Sequence, residues 1–205
     1  MKDQEIEVKY YIADLPALEA KLKRLNARLV QSRTYEVNLR FDTADEALKR
    51  SFQVLRLRQD KAARMTYKGP SQYQEGARLR QEIEFEVSDF EAARRLLEAL
   101  GYQVSMMYEK YRAAYELDGV EITLDEMPYG NFAELEGPDT KALRFVNEKL
   151  GLDWETRAPE SYTTLFDRLR ETMGLTFSDL SFENFSRLDV SPAALNLSPA
   201  DSAPE

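Results

Sequence analysis

The sequence predicts an α+β fold in which eight antiparallel strands close into a barrel, with a charged lumen and helices packed outside. Three observations predict it. Apolar residues alternate at period 2 in eight short segments, those segments carry their ionisable side chains on a single parity, and leucine-striped stretches of helical period lie between them. With 205 residues, 43% of them apolar and 32% charged, the chain can build a globular domain with a substantial core.

In chain order, a strand is expected over 4–12. Asp14 then precedes Leu15, Leu18, Leu22, Leu25 and Leu29, a stripe that predicts a helix over 15–30. Strands follow over 35–42, 52–60 and 63–69, the last ending at the turn signal Gly69-Pro70. A strand over 77–87 runs into a helix over 89–100, with Ser88 and Glu91 at capping-box spacing and Gly101 as the stop. Strands over 108–117, 119–126 and 131–136 are separated by Asp118-Gly119 and Tyr129-Gly130, and helices close the series over 140–150 and 160–173. The segments 5–9 and 82–86 each lead from an acidic strand into a helix and read as copies of one unit. Residues 1–175 read as the domain and 176–205 as a C-terminal extension. Its Phe177, Leu180, Phe182 and Phe185 would dock on the barrel or bind a partner, and Pro, Ser, Ala and Asp after 189 predict disorder.

The polar faces carry the functional signal. Arg78, Arg80, Glu82, Glu84 and Glu86 share one face of a strand, opposite Leu79, Ile83, Phe85 and Val87. Glu5, Glu7 and Lys9 flank Ile6 and Val8; Arg56 and Arg58 oppose Leu55 and Leu57; Arg64, Thr66 and Lys68 oppose Met65 and Tyr67. Lys110 and Arg112, Thr123 and Asp125, and Glu134 and Glu136 repeat the arrangement. Solvent on the outside of a one-sided sheet would account for any one strand. Its repetition, with ionisable groups almost throughout, points to apolar faces turned outward under helices and charges turned into a wet lumen. Gathering ions in this way is costly unless they pair or hold a ligand, so a polyanion and a metal are implied.

The chain has neither histidine nor cysteine. That removes imidazole bases, thiolate ligands, disulfides and Ser-His or Cys-His nucleophiles. Chemistry must run on carboxylates, lysine, arginine, tyrosine and bound metal. Glu5, Glu7, Glu82, Glu84, Glu134 and Glu136 offer hard oxygen ligands for Mg²⁺ or Mn²⁺. Arg56, Arg58, Lys68, Arg80, Lys110 and Arg112 suit phosphate oxygens. A net charge of −9 argues against nucleic acid as a partner. No run of 18 apolar residues and no N-terminal apolar leader stands in the sequence, so neither a membrane span nor a signal peptide is expected and a cytoplasmic location is.

Glu5-x-Glu7-x-Lys9 resembles the ExExK signature of the CYTH proteins, the triphosphate tunnel metalloenzymes, among them class IV adenylyl cyclases, thiamine triphosphatases and inorganic triphosphatases. The resemblance continues in order through Arg40-Phe41-Asp42-Thr43, Leu55-Arg56-Leu57-Arg58, Thr66-Tyr67-Lys68, Glu82 with Glu84, and Glu109-Lys110-Tyr111-Arg112. Asp125, Gly130 and Glu134-Leu135-Glu136 complete it, so that it spans roughly residues 1–170. It implies an eight-stranded triphosphate tunnel that requires Mg²⁺ or Mn²⁺, with metal on Glu5, Glu7, Glu134 and Glu136, helped by Glu82 and Glu84. It implies that Lys9, Arg56, Arg58, Lys68, Lys110 and Arg112 hold a small-molecule triphosphate. Glu5, Glu7 and Lys9 form the implied catalytic group, with Lys9 either a base or a charge-balancing partner.

Ser161-Tyr162-Thr163-Thr164-Leu165 resembles the SYxxLL ending of cyclase-like members, with Phe166 in place of the last leucine. Asp125-Glu126-Met127-Pro128, by contrast, departs from cyclases that place histidine after the aspartate. Asp125 is the expected contributor to a nucleoside pocket. The readings rank as hydrolysis of inorganic or nucleoside triphosphate, then cyclisation of ATP, then non-catalytic binding of polyphosphate or nucleotide. Oligomeric state stays open, a homodimer included.

Overall fold

The computed structural model describes residues 4–202 and, at Gln4 and Glu5, the backbone. Strand β1 (Gln4–Ile12) leads into helix α1 (Leu15–Arg24), followed by β2 (Arg28–Asp42), a single helical turn α2 (Ala47–Arg50), β3 (Val54–Gln59), β4 (Ala63–Lys68) and β5 (Gln72–Gln74). Next come β6 (Ala77–Val87), α3 (Phe90–Ala99), β7 (Gln103–Leu117), β8 (Val120–Met127), β9 (Gly130–Glu136), α4 (Thr140–Leu150), α5 (Tyr162–Met173) and a short α6 (Phe182–Phe185). The strands pair in the order β1-β9-β8-β7-β2-β3-β4-β6, and β6 returns to β1. Eight antiparallel strands therefore close into a ring with the helices outside, and β5 adds a short ninth strand to the first half of β6. Register shifts between β2 and β7 near Leu29, Gln31 and Arg40 relax their long pairing, as bulges do where a sheet must bend.

Two apolar layers lie outside the ring. Leu15, Leu18 and Leu22 of α1 and Leu143 and Val146 of α4 cover Val8, Tyr10, Ile122 and Leu135. Ala93 and Leu97 of α3 cover Leu39, Phe41 and Leu57. A third layer stoppers one end of the ring. There the inward residues change from charged to aromatic: Lys9 gives way to Tyr11 along β1, and Glu134 to Phe132 along β9. Phe132 meets Tyr11 and Tyr162 edge-on, with ring centroids 5.4 and 5.1 Å apart. Gly130 makes this closeness possible, since a Cβ at its φ of +146° would lie 2.7 Å from the Tyr11 ring.

The structure differs from the sequence expectations at several elements. Helix α1 stops at Arg24, because Asn26 enters the left-handed region (φ 57°) and Arg28 already pairs with Glu116 of β7. Leu29, which continues the helical stripe by spacing, is an exposed strand residue. Helix α3 is capped by Asp89, whose carboxylate accepts from the Ala92 amide at 2.9 Å, and not by Ser88. Strands β2 and β7 begin seven and five residues earlier than expected, each pairing with the other along the added length.

The segment after 189, expected to be disordered, packs against the domain. Leu195 and Ala200 are buried, the Ala200 amide donates to the Tyr11 carbonyl, and the Asp201 carboxylate accepts from the Ala13 and Asp14 amides at 2.8 Å. Two apolar anchors and fixed backbone bonds hold a segment whose composition alone reads as unstructured. Leu180 and Phe185 are buried in the stopper layer, so this part of the extension docks. Among the described residues, no helix is long and apolar enough to cross a membrane.

Candidate active site

Inside the ring lies a cavity of about 370 Å³. Of the expected site residues whose side chains are described, all line it except Asp125. The Glu5 side chain lies outside the described residues; its backbone pairs with Arg80. Among the described residues, nine basic and six acidic side chains line the cavity, a surplus of three positive charges in a chain of net charge −9.

The register decides which charges meet. Glu7 of β1 lies beside Arg78 of β6 and Glu136 of β9, and its carboxylate takes Arg78 at 3.3 Å. Two positions along, Lys9 faces Glu134 and bonds it at 3.2 Å, while Arg112 holds the other Glu134 oxygen at 2.7 Å. On the opposite wall Arg56 and Arg58 share Glu84, at 3.3 and 3.0 Å, and Lys68 takes Glu82 at 2.8 Å. Burial alone would raise the Glu134 pKa, but Lys9, Arg112, Lys110 and Lys68 together hold its carboxyl well below the usual range. Glu84 shows the same balance, net lowered by Arg58 and Arg56.

Asp125 is placed behind the cavity wall rather than on it. Its fully buried carboxylate accepts from Arg112 Nε at 2.6 Å, Lys110 Nζ at 3.1 Å and the Tyr162 hydroxyl at 2.8 Å. Those partners engage the carboxylate from the cavity side, so in this structure Asp125 fixes the bases. Burial raises its pKa and Arg112 with Lys110 outweighs that, leaving it lowered. Glu126, on the opposite face, pairs with Arg33 at 2.6 Å, away from the lumen.

Further lining residues were legible by parity. Arg78 precedes Arg80 on one face, Glu121 precedes Thr123 and Asp125, and Tyr108 precedes Lys110. Arg40 belongs here too and donates to Thr163 Oγ1 at 2.5 Å. The Tyr108 hydroxyl, which burial would push up, is brought below its ordinary value by Arg56 and Lys110. Ser161, Tyr162 and Thr163 enter from the start of α5, a contribution with no periodic signal in the sequence.

The donor chemistry suits a hard divalent cation. Glu7 and Glu136 are side by side, with Glu121 next to Glu136 on β8. Among the described residues no three acidic side chains converge as a cage. Mg²⁺ commonly takes one or two carboxylates and completes its shell with substrate phosphates and water, so this donor set fits that mode.

The CYTH domain family model matches residues 3–162. The chain belongs to the CYTH family. Several solved structures share this CYTH fold. A candidate adenylate cyclase from Vibrio parahaemolyticus is 23% identical over 82% of this chain and 99% of its own, with a TM-score of 0.69. The PH1012 protein from Pyrococcus horikoshii is 27% identical over 77% and 96%, with a TM-score of 0.65. A candidate adenylyl cyclase from Hippeastrum, described as having a dominant triphosphatase activity, is 20% identical over 84% and 97%, with a TM-score of 0.61. No curated protein matches this CYTH chain.

Proposed function

We propose that this CYTH protein is a cytoplasmic, divalent-metal-dependent hydrolase of triphosphates, acting on inorganic triphosphate or a nucleoside triphosphate. The observation that supports this reading is the cavity's positive surplus among the described residues of an acidic chain: nine bases facing inward form a local field suited to a compact polyanion. Phosphoryl transfer asks mainly for positioning and charge neutralisation, which this wall supplies without a covalent nucleophile.

Lys9, Arg56, Arg58, Lys68, Arg80, Lys110 and Arg112 would hold the phosphate oxygens, the arginines by paired N–H donors and the lysines as point charges. Glu7, with Glu5 preceding it on β1, and Glu134 and Glu136 on β9 would hold Mg²⁺ or Mn²⁺, with Glu82 and Glu84 on the facing wall. When bound, the ion supplies charge neutralisation and polarises a phosphoryl oxygen. Lys9 sits against Glu134 and so serves the lumen as a charge partner for the acids as well as for phosphate.

One observation favours a nucleoside-bearing substrate and keeps cyclisation as the second reading. A wider chamber of about 760 Å³ adjoins the cavity and shares Arg40, Arg78 and Arg80 with it, leaving room for a group attached to the triphosphate. Hydrolysis ranks first because cyclisation needs an oriented ribose hydroxyl, and Asp125, expected to help orient it, is engaged by Lys110, Arg112 and Tyr162. Incubation with inorganic triphosphate, ATP or thiamine triphosphate plus Mg²⁺ or Mn²⁺, with the products resolved, tests both. Orthophosphate with a diphosphate product supports hydrolysis; cyclic AMP and pyrophosphate as the main products of ATP would reverse the ranking.

A further inference from the structure

We infer that Tyr162, the first residue of α5, is a positioning residue that holds two tunnel ammonium groups in place, chiefly through its ring face and only secondarily through its hydroxyl. The inference rests on the proposed triphosphate site and says how its bases are kept in register. Lys9 Nζ stands 4.0 Å from the centroid of the Tyr162 ring, and Lys110 Nζ stands 5.6 Å from it. Both lie within the range in which the negative face of an aromatic ring attracts a cation, and the buried setting strengthens that attraction. The Tyr162 hydroxyl donates to Asp125 Oδ2 at 2.8 Å, the same oxygen that Lys110 Nζ contacts at 3.1 Å. One side chain thus touches Lys9 directly and Lys110 both directly and through Asp125.

The ring itself is fixed. Phe132 packs on it edge-on, and the Tyr162 carbonyl accepts from the Tyr129 hydroxyl at 2.9 Å. The residue before the α5 N-cap adds a further tie, since the Glu160 carbonyl accepts from Lys9 Nζ at 3.3 Å. Lysine has a flexible four-carbon stem and no planar fork, so its placement depends on what surrounds its ammonium group. The arginines on the far wall are held by shared carboxylates. The lysines near the stoppered end also pair with carboxylates, Lys9 with Glu134 and Lys110 with Asp125, and in addition face an aromatic ring that belongs to a helix outside the ring of strands. The start of α5 therefore acts as part of the phosphate-binding wall.

The test compares Tyr162→Phe, which keeps the ring and drops the hydroxyl, with Tyr162→Leu, which drops the ring while leaving an apolar side chain against Phe132. The first readout needs no ligand. In protein carrying ¹³C-labelled lysine, the Lys9 ε-methylene resonance, assigned with Lys9→Arg, should be displaced upfield by the ring in wild type and in Tyr162→Phe, and should return toward the position of an exposed lysine in Tyr162→Leu. The second is calorimetric binding of inorganic triphosphate. Tyr162→Phe should bind within about threefold of wild type and Tyr162→Leu about tenfold more weakly, the range expected for losing a desolvated cation–ring contact. An undisplaced Lys9 resonance in wild type overturns the inference, as does wild-type affinity in Tyr162→Leu. Should Tyr162→Leu not fold, Tyr162→Phe decides alone: loss of the Lys9 displacement there, or a loss of affinity as large as that of Lys9→Ala, shows that the ring does not position the lysine. If wild type binds no triphosphate while the Lys9 displacement follows the ring, the substrate reading fails and the positioning role stands.

Discussion

Replacing Asp125 with asparagine should unsettle the bases and the fold together. The carboxylate is fully buried and takes bonds from Arg112, Lys110 and Tyr162, so Asp125→Asn removes one charge and turns an amide donor toward three donors. Removing one partner of a buried ion pair costs about 3–5 kcal/mol, which for a domain of this size lowers the melting temperature by roughly 6–20 °C. The pH dependence supplies a second check. Arg112 and Lys110 more than offset the effect of burial on Asp125, so its pKa is lower folded than unfolded. Its stabilisation is therefore present above about pH 4 and is lost as the pH falls through the folded pKa. Thermal and urea unfolding from neutral pH into the acid range should show the two proteins converging as the pH drops. A loss below about 1 kcal/mol at pH 7 would refute the view that Asp125 organises the wall.

Four other outcomes are expected. Glu136→Gln should lower turnover by about 10–100-fold at limiting metal while triphosphate binding changes less, since the bases remain; wild-type turnover there would remove Glu136 from the metal set. EDTA in excess should abolish turnover and leave the circular dichroism spectrum and melting temperature unchanged, because the ring is held by strand pairing and packing; full activity in EDTA would end the metal reading. Arg56→Ala should weaken triphosphate binding and flatten its salt dependence in titrations at several ionic strengths; an unchanged salt slope would place Arg56 outside the phosphate site. Leu195→Ala should cost about 2–5 kcal/mol in unfolding experiments, since this leucine is fully buried although it lies in the C-terminal extension.

Strand parity carried most of the site. Because residues two apart share a face, most ionisable positions from Glu7 to Glu136 could be assigned to the lumen before the strands were placed, and the same rule extends to Tyr108 and Glu121; Arg64 and Glu86 share those faces but pair with each other outside the cavity lining. Parity does not say how deep a residue lies, and Asp125 shares the inward face while standing behind its own partners. Nor does it reach side chains contributed by another element: Tyr162 belongs to the helical period of α5 and touches Lys9 only because the helix stoppers the ring. Leu29 misled for a related reason, its spacing continuing the α1 stripe although Asn26 had already turned the chain. The segment after 189 looked unstructured because its order depends on long-range bonds to Tyr11, Ala13 and Asp14 that composition does not register.

On the proposed function, the pairing of acids with bases around the lumen would make the tunnel an ion exchanger. Arg56 and Arg58 hold Glu84, Lys9 and Arg112 hold Glu134, and Lys68 holds Glu82. An incoming anion gains only the difference between its own contacts and those it displaces. A single phosphate can compete for one such cluster, and the exchange comes out nearly even. A chain of phosphates competes for several clusters at once, and after the first exchange the rest proceed within one molecule at high effective concentration. Selectivity for chain length would then follow from the spacing of the clusters along the wall, without any residue that measures length.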